Sequence, residues 1–69
     1  MLVRGTVAEF DVARGEGWVL LESGERLYFH CVEIADGSRN IEVGTSVTAT
    51  RRPGLLGVDE LASVYSLAG

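Results

Sequence analysis

Apolar residues along this chain come in short runs that alternate with polar ones and stop at glycine. Leu2 to Phe10 is rich in β-branched and apolar residues, which predicts a first strand, and Asp11 to Gly15 reads as the turn after it. Trp18 to Leu21 predicts a second strand, closed by the turn pair Ser23-Gly24. Leu27-Tyr28-Phe29-His30 predicts a third. With a period of two residues, Leu27 and Phe29 face one side of that strand and Tyr28 and His30 the other. Aliphatic and aromatic groups then point inward while rings able to stack point outward.

Cys31 to Ala35 is too short for an ordinary helix and fits a single 3₁₀ turn, and Asp36 to Asn40 reads as a polar loop. Ser46 to Thr50, rich in Thr and Val, predicts a fourth strand. Arg51-Arg52-Pro53-Gly54 is expected to break it, since proline cannot donate to a central ladder. Val58 to Leu67 predicts a fifth strand, with Leu55-Leu56 in the loop before it. Five short strands, little helix and glycine punctuation argue for an all-β antiparallel barrel, whose closure removes exposed edges.

The length of 69 residues leaves room for a single domain, residues 1–69, with one core. A chain of this size buries only about 60% of the surface its unfolded form exposes, so modest stability is expected. The hydrophobic fraction of 46% and charged fraction of 23% are those of a folded chain, not a disordered one. Charge changes the picture more. Ten acids against six arginines, with no lysine, give a net charge of −4. That balance opposes long-range attraction to phosphates, although one local face can differ from the average. Cys31 stands alone, which excludes an intramolecular disulfide. No 18-residue apolar run and no leader pattern is present, so a soluble, cytoplasmic protein with no membrane partner is expected.

The stretch richest in chemistry is Arg14-Gly15-Glu16-Gly17-Trp18-Val19, followed by Leu27-Tyr28-Phe29-His30-Cys31. Together with Gly5-Thr6-Val7-Ala8-Glu9-Phe10-Asp11, Gly37-Ser38-Arg39-Asn40-Ile41 and Gly44-Thr45-Ser46-Val47, it resembles the cold-shock domain family in order and spacing over residues 2 to 65. The resemblance implies a five-stranded antiparallel OB-fold barrel of cold-shock type. It also implies binding of single-stranded DNA or RNA, as in RNA chaperones and regulators of transcription or translation. On this resemblance Trp18, Tyr28 and His30 occupy base-stacking positions and Phe10 lies at the edge of the same face. Arg14, Arg39 and Arg51 are the expected backbone contacts. The chain departs from the family where Glu9, Glu16, Cys31 and Ser38 replace aromatic residues and Ala8 replaces a lysine.

Stacking is worth about 1–3 kcal/mol per base, so losing two platforms weakens binding by roughly 2–6 kcal/mol. Glu9 and Glu16 add negative charge on neighbouring strands of the same face. The expectation is therefore weak, salt-sensitive binding of short single strands. No nucleophile–base arrangement, cofactor motif or metal-ligand set stands out. His30 and Cys31 fall short of a zinc site, and Glu9 with Glu16 reads as a solvated pair, not an acid–base dyad. A non-enzyme without cofactor or metal is expected. The alternative is a barrel that has lost nucleic acid and acts as a protein-interaction module or homodimer, motivated by the acidic balance and Leu55-Leu56. A redox role for Cys31 is a third option.

Overall fold

The computed structural model describes residues 1–55 and 57–67, so Leu56 lies outside the described residues. Five strands carry the chain: β1 (Leu2–Asp11), β2 (Glu16–Leu21), β3 (Arg26–His30), β4 (Ser46–Pro53) and β5 (Asp59–Ser66). A single 3₁₀ turn at Cys31–Glu33 follows β3. The strands close into a barrel in the order β1-β2-β3-β5-β4, with β4 returning to pair with β1. The result is an all-β barrel consistent with an OB-fold-like arrangement. No helix among the described residues is long and apolar enough to cross a membrane.

One pairing differs from the antiparallel expectation. β3 and β5 run parallel, in register at Tyr28 and Glu60, and a parallel bridge joins Ile34 to Val64. The reason is topological. A closed ring of five strands cannot alternate up and down all the way round, so one neighbouring pair must run in the same direction. A second difference lies in β4, which continues through Arg51 and Arg52 to Pro53, opposite Leu61, Glu60 and Asp59. Proline is accommodated as the last residue of the strand, so the ladder ends there and not at Thr50. Arg51 and Arg52 are strand residues, not loop.

The core is the inward row of every strand. Val7, Val19, Leu21, Leu27, Phe29, Val47, Ala49, Leu61 and Val64 are buried, with Ile34 closing one end. Two bulges set which side chains join it. Val7 opposes Val19, but Glu9 opposes Trp18, so Ala8 is an extra residue in β1. Strict alternation from the buried Val7 would turn Glu9 inward and Phe10 outward. The bulge reverses both. In β5, Thr48 opposes Tyr65 and Thr50 opposes Ala62, and the extra residue Ser63 takes a left-handed φ of 50°. Its N–H donates to Glu33 Oε1 at 3.2 Å.

Candidate nucleic-acid interface

The outer face of β1–β3 is built from the residues that alternate with the core. β2 contributes Glu16, Trp18 and Leu20; β3 contributes Arg26, Tyr28 and His30; β1 contributes Glu9 and Asp11. Cross-strand register places Trp18 directly beside Tyr28 and Glu16 beside His30. The indole and phenol meet edge to face, with centroids 5.7 Å apart and planes 70° from parallel. Trp18 remains 41% exposed, enough to offer a face to a ligand.

The turn before β2 makes this face possible. Gly15 adopts φ 66°, and a Cβ there would lie 2.7 Å from Cys31 Sγ. At Gly17 a Cβ would stand 2.6 Å from the Phe29 ring and 2.8 Å from the Glu9 carbonyl oxygen. Only glycine lets β1, β2 and the Phe29 ring approach this closely. The Arg14 N–H donates to Asp11 Oδ1 at 3.1 Å, which holds the turn in place.

The expected stacking residues therefore share a face, but each is differently engaged. Tyr28 is half-buried, and its hydroxyl donates to Glu16 Oε2 at 3.1 Å. Burial, then the hydrogen bond and charge of Glu16, hold its pKa above the ordinary phenol value. His30 is exposed, with Nδ1 accepting from the Val32 N–H at 3.3 Å, so it caps the 3₁₀ turn. Phe10, which the resemblance puts at the edge of this face, is turned by the Ala8 bulge so that it packs against the core. It stacks on the buried Phe29 at 5.9 Å, with planes 12° apart. One side of it still lines an open groove of about 460 Å³ with Glu9, Asp11, Arg14, Glu16, Trp18 and Val43. A groove of that size is within the range of small-ligand sites.

Of the expected backbone contacts, only Arg14 reaches this groove, and its Nε sits 3.2 Å from Glu16 Oε1. Arg39 lies in an exposed loop at φ 57°. Arg51 lines a different groove with Met1 to Arg4 and Glu25. It donates to both oxygens of Glu25 at 2.8 Å and to Asp59 at 2.7 Å. Those two carboxylates hold the guanidinium in its charged form and raise its pKa further. It is a structural clamp that ties β4 to β5 and to the turn before β3.

Sequence reasoning missed Arg26. It lies on the same outer row as Tyr28 and His30 and forms an ion pair with Glu9. A period of two, counted back from Tyr28, is the signal that finds it. The face thus carries three carboxylates, Glu9, Asp11 and Glu16, against two guanidiniums, Arg14 and Arg26. Beyond Tyr28, an apolar groove of about 500 Å³ runs along Gly54, exposed Leu55 and exposed Val58. No protein-family model matches the chain, and no curated protein matches it at a significant level.

Proposed function

We propose that the chain binds single-stranded DNA or RNA weakly on the outer face of β1–β3, as a divergent, non-enzymatic barrel of the cold-shock type working in the cytoplasm. The observation that carries this reading is the Trp18–Tyr28 pair, an exposed indole beside a half-buried phenol on one barrel face, with His30 on the next outward position of β3. Flat rings held at fixed positions by a rigid sheet stack on bases of any identity, because every base has a π-face. The acidic residues around them argue for low affinity and strong dependence on salt.

Trp18 is the sole tryptophan, so its fluorescence reads the site directly. Titrating an oligo-pyrimidine strand at low ionic strength is expected to quench it saturably and to lose the effect as salt rises. A flat signal up to millimolar strand rejects the proposal. The rival reading, a barrel that pairs with a second copy of itself, draws on Leu55 and Val58 exposed beside Tyr28. Light scattering separates the two: a monomer that quenches supports strand binding, and a stable dimer blind to strands supports the rival.

A further inference from the structure

We infer that Arg26 is a phosphate contact of this face, held in the free protein by Glu9 acting as an internal stand-in for the phosphate. The inference rests on the reading of the face as a single-strand interface. β2 lies between β1 and β3. Glu9, on β1, is in register with Trp18, and Arg26, on β3, is in register with Leu20. Their ion pair therefore crosses the outside of β2 between the indole and Leu20. A second pair, Arg14 with Glu16, stands beside the next outward position of β2 on the other side of the indole. Trp18 is thus flanked along its strand by two neutralised guanidiniums.

The two pairs are not equivalent. Glu16 is held by both Arg14 and the Tyr28 hydroxyl, whereas Glu9 and Arg26 are joined only to each other by the bonds seen among the described residues. Both members of the Arg26–Glu9 pair are open to solvent, at 49% and 63% side-chain exposure. An exposed ion pair of this kind is weakly held and screened by salt. Phosphate competes well for it, because guanidinium donates to phosphate through two parallel bonds. A strand stacking on Trp18 brings its backbone to the place Glu9 occupies, and Arg26 changes partner.

The test is a double-mutant cycle of Glu9→Gln and Arg26→Gln, with oligo-pyrimidine affinity read from Trp18 fluorescence across a salt series. Glu9→Gln is expected to tighten binding about fivefold at low salt. It also steepens the plot of log affinity against log salt by about 0.7, since Arg26 then releases one counterion equivalent with no cation taken up by Glu9. Adding Arg26→Gln removes both effects. All four proteins are expected to share one circular-dichroism spectrum, because both side chains are exposed. If Glu9→Gln tightens binding equally in the two backgrounds, the carboxylate acts through its field alone and the exchange is overturned while strand binding stands. If none of the four proteins quenches, the single-strand reading falls and the exchange falls with it.

Discussion

Two pairs of aromatic rings sit one residue apart on the same three strands, and they do opposite things. Phe10 and Phe29 stack nearly parallel on the inner side, with Phe29 wholly buried and Phe10 packed against the core. Trp18 and Tyr28 meet edge to face on the outside. The difference follows from chemistry as much as from position. Phenylalanine has no polar atom, so burial is all it can contribute. Indole and phenol each carry a donor that stays satisfied at a wet surface, as the Tyr28 hydroxyl is by Glu16. The inner pair makes the sheet rigid, and the outer pair uses that rigidity to hold its rings where a ligand meets them.

The comparison is broken most decisively at Phe29. Phe29→Ala is expected to lose about 3–5 kcal/mol of stability, through lost burial and the cavity left behind. On a domain this small that is most of the total, and denaturant titration at room temperature is expected to find a largely unfolded chain. A loss under about 1 kcal/mol means that the inner pair is not the element that closes the barrel. Trp18→Ala is the complementary change. It is expected to weaken strand binding by about 1–3 kcal/mol, measured by anisotropy of a labelled strand, with little change in melting temperature. If it destabilises the barrel as much as Phe29→Ala does, the indole is a packing residue and the two rows do not divide the work.

Alternation alone made most of this division readable. It separated Leu27 and Phe29 from Tyr28 and His30. It did not reveal the Ala8 bulge, because an inserted residue leaves no compositional trace and only the facing strand shows the slip. The resemblance places Phe10 at the edge of the outer face, and what it leaves unseen is the packing on Phe29 that the bulge sets up. The charged residues were the hardest to read. Arg14, Arg39 and Arg51 are alike in one dimension, but Arg51 is held by Glu25 and Asp59, which lie 26 and 8 residues away in the chain. Arg26 was within reach of the same period of two and carries the more exposed guanidinium. Pairing between distant segments, not residue type, decides which arginine is available.

The smallest expected effect is also the sharpest separation of the two pairs, because only the outer one can take part in a proton equilibrium. Ionising Tyr28 creates a phenolate in a partly buried place beside Glu16 and Glu60, and burial, the Glu16 hydrogen bond and both charges oppose it. The folded pKa is therefore above the ordinary phenol value of about 10, which the unfolded chain retains. As pH rises between those two values, the unfolded state has released a proton that the folded state still holds, so stability falls across that window and levels off above the folded pKa. Since Tyr65 is the only other tyrosine, phenolate absorbance in a Tyr65→Phe background reports Tyr28 alone. Its midpoint is expected above the ordinary value, with Glu16→Gln bringing it part of the way down and leaving the share due to burial. The alkaline loss of stability is expected to vanish in Tyr28→Phe, whose outer ring is then as indifferent to pH as Phe10 and Phe29. A midpoint at the ordinary value, unmoved by Glu16→Gln, means that the phenol does not hold Glu16 in water. Glu16 would then be tied to Arg14 alone, and the contrast between the two ion pairs beside Trp18 would disappear with it.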